Sequence, residues 1–236
     1  MGGIQPHSDS AVEVLAAAVE RDLGTDPSRW FHPPGYESLA LAVLDSIYST
    51  GNRYAGVINA LNRYRTSRRA EGDDPDQDGA TDLVAAVDRW GGIDALVERT
   101  NRWRTSTKAG APSKAEAAYG AATILADHGL DSVALVREAL GTPDKQHASP
   151  VKTRWLALPG QRSGLTWTYF LMLCGVPGVK ADRMVVSYVS RALGQSVSPE
   201  AARSLVGDLA RAQGISEIVL DHALWRLESG RKVFVE

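Results

Sequence analysis

Helical periodicity runs through almost the whole 236-residue sequence, and no convincing alternation of apolar and polar residues interrupts it. Residues 10–23 show the pattern clearly, because Leu15, Val19 and Leu23 recur on one face of a helix. Glycine and proline end such segments at short intervals, and residues 141–150 have the composition of a loop. About ten helices with short connections predict an all-α fold.

The composition, 44% hydrophobic and 23% charged residues, is typical of a globular protein. The longest apolar run, residues 167–179, is interrupted by Gly175 and Pro177 and is too short to cross a bilayer. The first ten residues lack a basic stretch followed by an apolar one, which predicts no secretory signal. The single cysteine, Cys174, excludes an internal disulfide and a cysteine-ligated cluster. We therefore expect a cytoplasmic protein that needs no membrane, metal or cofactor.

The formal net charge of −2 is distributed unevenly along the chain. Acidic residues concentrate in one predicted loop, residues 71–82, whereas basic residues cluster around positions 63–69, 99–108 and 152–162. A chain without overall positive charge is an unusual nucleic-acid binder, but local basic patches leave that function open.

Residues 156–193 contain the strongest chemical signal in the sequence. They predict a turn bounded by Gly160 and Gly164, an apolar helix over residues 165–174, and a second helix that begins just after Asp182. A glycine-bounded turn that opens a helix presents backbone N–H groups to an anion such as a phosphate. A helix N-terminus likewise favours an ionised aspartate.

This order of parts, Leu-Pro-Gly, hairpin turn, apolar helix, loop and aspartate, resembles the helix-hairpin-helix (HhH-GPD) superfamily of base-excision DNA glycosylases. Residues 36–46 resemble the early helix of that family, and residues 113–115 resemble the helix start that precedes its hairpin. The resemblance implies a domain of two interleaved helical lobes flanking a cleft over residues 35–236, with the hairpin at about 156–175. Residues 1–34 would form an N-terminal helix and lead-in that pack on this domain.

The resemblance also implies a function, the hydrolysis of the N-glycosidic bond of a damaged base flipped out of double-stranded DNA. Asp182 would be the catalytic residue that stabilises the cationic sugar or activates water. The expected DNA-binding residues are Gly160, Arg162, Ser163, Gly164, Lys180 and Arg183. The expected base-pocket residues are Tyr169, Trp167, Asn52 and Tyr54.

Several departures from the family pattern restrict this interpretation. The position of the lysine used by strand-cleaving members holds Gly164 or Leu165, so the resemblance implies a monofunctional enzyme. The iron–sulfur branch is excluded because its cysteine quartet is missing. The hairpin is one residue longer than usual, and Arg183 and Met184 follow the aspartate.

Other interpretations therefore stay open. In one of them the chain is a non-catalytic DNA-binding or scaffolding protein. In another, which the sequence supports least, it is a helical protein-interaction module. At the level of single residues, Asp182 would be a simple helix cap and Trp167 a core side chain. The segment containing Asp221 and His222 is predicted to be a packing helix anchored by Trp225.

Overall fold

The computed structural model describes residues 8–235; residues 1–7, on which the argument about a secretory signal rests, and Glu236 lie outside this range. Within it the chain forms thirteen α-helices and one 3-10 turn, with no β-sheet, which confirms the all-α prediction. None of these helices is long and apolar enough to cross a membrane. The chain divides into two compact units, one continuous in sequence and the other made of two segments.

The discontinuous unit contains the described residues up to Pro34 and those from Pro177 onward. Its helices are α1 (Ser8–Leu23), α11 (Arg183–Leu193), α12 (Pro199–Gln213) and α13 (Glu217–Glu228), and the 3-10 turn spans Pro27–Arg29. They enclose a hydrophobic core of their own, which includes Leu15, Trp30 and Tyr188. A backbone hydrogen bond joins the two segments of this unit after α13, where the Phe31 N–H donates to the Val233 carbonyl at 2.7 Å.

The continuous unit, Gly35–Val176, contains the other nine helices and a second core. These helices are α2 (Leu39–Tyr48), α3 (Tyr54–Ala70), α4 (Ala80–Arg89), α5 (Ile93–Glu98), α6 (Lys114–Asp127), α7 (Val133–Leu140), α8 (Pro143–Ala148), α9 (Pro150–Ala157) and α10 (Leu165–Leu173). Every residue of α2 is buried, with α6 and α10 among the helices packed against it. Helix α8 lies where a loop was predicted, because Thr142 caps a first turn that Pro143 opens.

The acidic loop is neutralised by arginines of the preceding helix. Arg68, only 3% exposed, donates to both carboxylate oxygens of Asp78 at 2.7 and 2.9 Å and to Asp73 at 2.6 Å. The Tyr64 hydroxyl donates to Asp78 at 2.6 Å. The Asp78 carbonyl accepts from the Ser38 hydroxyl, which caps α2. This loop therefore connects α3 to the start of α2 through the buried Arg68–Asp78 ion pair.

The other end of α2 is capped by a buried lysine from the start of α6. Lys114 Nζ donates to the carbonyl oxygens of Ile47, Tyr48 and Thr50 at 3.0, 3.1 and 2.6 Å. These carbonyls belong to the last turn of α2 and the residues just after it, where a positive charge complements the helix dipole. Asn52, one of the predicted base-pocket residues, donates to the Tyr48 and Thr50 carbonyls at 3.3 and 2.9 Å. Together the two side chains hold the α2–α3 connection in place.

Candidate active site

Asp182 begins α11 and caps it. Its Oδ1 atom accepts hydrogen bonds from the backbone N–H groups of Met184 at 2.8 Å and Val185 at 3.3 Å. The Asp182 N–H donates back to the Lys180 carbonyl at 2.5 Å, so residues 180–182 form a tight turn. The side chain is half-buried. The sequence prediction of an aspartate at this helix start is therefore correct in position, and both cap bonds end on one carboxylate oxygen.

A second carboxyl group, Asp221 of α13, belongs to the same site. It is 6% exposed, and one of its oxygens accepts a hydrogen bond from the backbone N–H of Lys180. The other oxygen, Oδ1, is buried without a hydrogen-bond partner among the described residues. Burial raises the pKa of Asp221 well above its usual range, and the negative charge of Asp182 raises it further. The positive charge of Lys180 acts in the opposite direction. This environment therefore favours the protonated, neutral form of the Asp221 carboxyl group.

In the sequence, Asp221 and its neighbour His222 were assigned to a packing helix, so Asp221 was not predicted as a site residue. That interpretation fits its neighbours: His222 stacks on Trp225 with ring centroids 5.5 Å apart and also contacts Phe31. Burial, Arg226 and Arg231 lower the pKa of His222 to about 4, which leaves its ring neutral at pH 7. The available signal was a single acid in an apolar stretch, between Leu220 and Ala223.

The predicted cations near Asp182 differ in their surroundings. Lys180 is half-buried in the turn itself, whereas Arg183 is exposed on the first turn of α11. Arg203 of α12 donates to the Val179 carbonyl at 3.3 Å and so fastens the same segment. Asp182, Lys180 and Asp221 are thus linked within the discontinuous unit, and Arg183 is the exposed cation that follows Asp182 in sequence.

Burial of Asp221 has a measurable consequence for stability. Its pKa is higher in the folded chain than in the unfolded one, so its stabilising effect is fully present below the unfolded value of about 4 and declines as pH rises above it. We therefore expect the melting temperature of Asp221→Asn, relative to wild type, to become steadily more favourable between pH 4 and pH 7. Thermal melts at several pH values measure this trend.

Asp22 provides a control of opposite sign. The hydrogen bond from Arg21 lowers the pKa of Asp22, so its contribution is present above pH 4 and is lost as pH falls. The melting temperature of Asp22→Asn, relative to wild type, should therefore become less favourable as pH rises from about 2 to 4. A flat difference for Asp221→Asn between pH 4 and pH 7 would contradict the burial of a neutral acid.

The predicted hairpin lies in the continuous unit, between α9 and α10. Gly160 and Gly164 both have positive φ angles, 77° and 74°, which only glycine adopts without strain. A Cβ atom on Gly160 would also lie 2.7 Å from Thr105 Cβ, so that position needs glycine for space as well. Arg162 and Ser163 are exposed between them. The turn therefore presents one cation and one hydroxyl to solvent.

The additional hairpin residue has a structural role. Gln161 points inward and is buried, and its Oε1 accepts a hydrogen bond from Thr166 Oγ1 at 2.6 Å. Thr166 accepts in turn from Trp155 Nε1 at 3.2 Å, while Gln161 Nε2 donates to the Pro159 carbonyl at 2.8 Å. The longer hairpin is thus fixed to both of its helices by side-chain hydrogen bonds.

The predicted base-pocket residues occupy different environments. Trp167 is 2% exposed and packs against Trp155 and Phe170, with ring centroids 5.6 and 6.1 Å away. Of its two interpretations, the structure favours the core one, because the Trp167 ring is buried among these aromatic neighbours. Tyr169 on α10 and Tyr54, the first residue of α3, are half-buried.

Among the described residues, no group of three or more histidine, cysteine, aspartate or glutamate side chains is arranged to hold a metal ion. Cys174 is buried, which raises the pKa of its thiol and disfavours the reactive thiolate.

Comparison with known proteins gives a family but no function. Residues 13–229 match the family described as Domain of unknown function (DUF8548). No curated protein and no solved structure matches the chain significantly. Since the match covers most of the sequence, the chain belongs to the DUF8548 family.

Proposed function

We propose that this protein is a monofunctional DNA glycosylase of the helix-hairpin-helix type, which hydrolyses the N-glycosidic bond of a modified base flipped out of duplex DNA. The observation that supports this proposal most is the state of Asp182. It is a half-buried carboxylate, fixed by two backbone N–H groups at the positive end of α11. A carboxylate held in this way is preorganised to stabilise a positive charge that develops beside it.

Hydrolysis of the N-glycosidic bond needs a negative charge at this place. As the bond from the base to C1′ breaks, the electron pair leaves with the base and the sugar becomes cationic. Asp182 stabilises that cation or removes a proton from the water that attacks C1′. Since Gly164 and Leu165 offer no amine, water is the nucleophile and the product is an intact strand with an abasic site.

The substrate partner in this proposal is double-stranded DNA with a damaged base. Exposed Arg162 and Ser163 suit a phosphate oxygen, whereas the Gln161 and Gly164 N–H groups of the same turn donate to carbonyls within the protein. Lys180 and Arg183 supply further positive charge next to Asp182. Tyr169, Asn52 and Tyr54 stay the proposed base-pocket residues.

A second candidate function, non-catalytic DNA binding, is favoured by a different observation. The inward hydrogen bonds of Gln161 distinguish this hairpin from a bare glycine turn. The arginines at the end of α3 are also engaged by the acidic loop rather than available to DNA. With this second function, the protein binds duplex DNA without cleaving a glycosidic bond.

Single-turnover excision on duplexes with alkylated, deaminated or oxidised bases distinguishes the two functions. Wild type should form abasic sites on at least one duplex, and Asp182→Asn should be slower by about 100-fold or more. Asparagine is itself a good helix cap, so the variant should keep its melting temperature. Asp94→Asn is the matched control, since Asp94 is an exposed acid in the first turn of α5. It should excise at the wild-type rate.

The opposite result is equally informative. If wild type and Asp182→Asn both release no base but bind duplex DNA with a steep dependence on salt, the glycosylase proposal fails and the binding function replaces it. If neither protein binds duplex DNA, both proposals fail.

A further inference from the structure

The turn that positions Asp182 is held by two side chains from outside its own helix. Arg203 of α12 donates to the Val179 carbonyl, and Asp221 of α13 accepts from the Lys180 N–H. The Asp182 N–H donates to the carbonyl of the same Lys180. Lys180 therefore links Asp221 to Asp182 through two backbone hydrogen bonds.

The surroundings of Asp221 disfavour the ionised form of its carboxyl group. It is almost fully enclosed, its Oδ1 atom lacks a hydrogen-bond partner among the described residues, and the nearby charges that act on it are those of Asp182 and Lys180. An ionised Asp221 would be a buried negative charge next to Asp182, and of the cations near this turn only Lys180 acts on it. A neutral acid avoids this, because its carbonyl oxygen accepts the Lys180 N–H without carrying charge.

We propose that Asp221 is a positioning residue for Asp182: as a neutral acid it fixes the Lys180–Asp182 turn and leaves Asp182 as the single negative charge beside the substrate sugar. This inference rests on the proposed glycosylase function for its kinetic consequence, but its structural part is independent of that function. It also gives the buried acid of α13 a role that packing alone does not explain.

Two substitutions of Asp221 distinguish a role in positioning Asp182 from a role in packing alone. Asp221→Asn copies a neutral acid and keeps the carbonyl acceptor, so excision at pH 7 should stay within about threefold of wild type. Asp221→Leu removes the acceptor, and excision should fall by about 10-fold to 100-fold while duplex affinity is retained. Wild-type excision should decline at alkaline pH as Asp221 ionises, and Asp221→Asn should abolish that decline.

The kinetic part is overturned if Asp221→Asn loses activity as completely as Asp182→Asn, or if wild type and Asp221→Asn show the same alkaline decline. Asp221→Leu alone would not decide the matter, because it could lower stability. A second measurement therefore uses the intact wild-type protein: carboxyl carbon NMR with labelled aspartate, with the Asp221 resonance assigned by its loss in Asp221→Asn.

At pH 7 we expect the Asp221 carboxyl resonance at the position of a protonated acid. If it titrates with the exposed aspartates instead, the inference fails whether or not the protein excises a base. If it stays protonated while wild type excises nothing, the glycosylase proposal fails, and the neutral acid that holds the Lys180–Asp182 turn is upheld.

Discussion

Replacing Arg68 by leucine is expected to lower the free energy of unfolding by about 3–5 kcal/mol, the usual cost of removing one partner from a buried ion pair. The substitution leaves Asp78, only 4% exposed, without the two guanidinium hydrogen bonds that neutralise it. It also releases Asp73 and Glu71, so the acidic loop loses its connection to α3. Urea unfolding monitored by circular dichroism measures the effect.

Arg69→Leu is the matched control for this prediction. Arg69 lies one residue further along and also binds an aspartate, Asp76, at 2.6 Å, but its side chain is 58% exposed. An exposed pair contributes about 0–1 kcal/mol, so the control should lose little stability. Equal losses for the two variants would show that burial of the Arg68–Asp78 pair is not what stabilises the loop.

Lys114→Met is the second substitution with a large expected effect, a loss of about 2–4 kcal/mol. Methionine keeps the apolar length of the side chain but removes the ammonium group, so the carbonyl groups at the end of α2 lose three charged hydrogen bonds. Removing a buried charge also relieves its desolvation. We expect the lost hydrogen bonds to outweigh that gain, because several carbonyl groups lose their donor at once. They lie at the end of α2, which is wholly buried.

Thermal and urea unfolding of Lys114→Met should be compared with Lys108→Met, which changes an exposed lysine on the loop before α6. The control should change the free energy of unfolding by no more than about 0.5 kcal/mol. An unchanged or more stable Lys114→Met protein would mean that the capping hydrogen bonds only offset the cost of burying the ammonium group.

Local sequence signals predicted the helices and several of their ends. Ser113 and Ser198 stand just before helical segments of the sequence, where serine is a typical cap, and their hydroxyls accept from the Glu116 and Ala201 N–H groups at 3.0 and 3.1 Å. Asp182 was expected at a helix start and caps α11. These features depend on a few adjacent residues, so the sequence contains the information that determines them.

Contacts between distant segments could not be predicted in this way. Lys114 reaches carbonyls that lie 64 to 67 residues earlier in the chain, and no local pattern distinguishes it from a surface lysine at a helix start. Asp221 has the same difficulty, because its role depends on how α13 packs near the Lys180–Asp182 turn. The inward direction of Gln161 depends likewise on Thr166 and on the core beneath the hairpin.

The most direct test of the central claim, that Asp182 stabilises a cationic sugar, does not require the damaged base to be known. It compares binding to two duplexes, one with a protonated pyrrolidine in place of the target sugar and one with a neutral tetrahydrofuran. We expect wild type to bind the pyrrolidine duplex at least about 10-fold more tightly, since the analogue resembles the transition state. Asp182→Asn should lose that preference and still bind the tetrahydrofuran duplex. Equal affinity of wild type for both duplexes would contradict the claim.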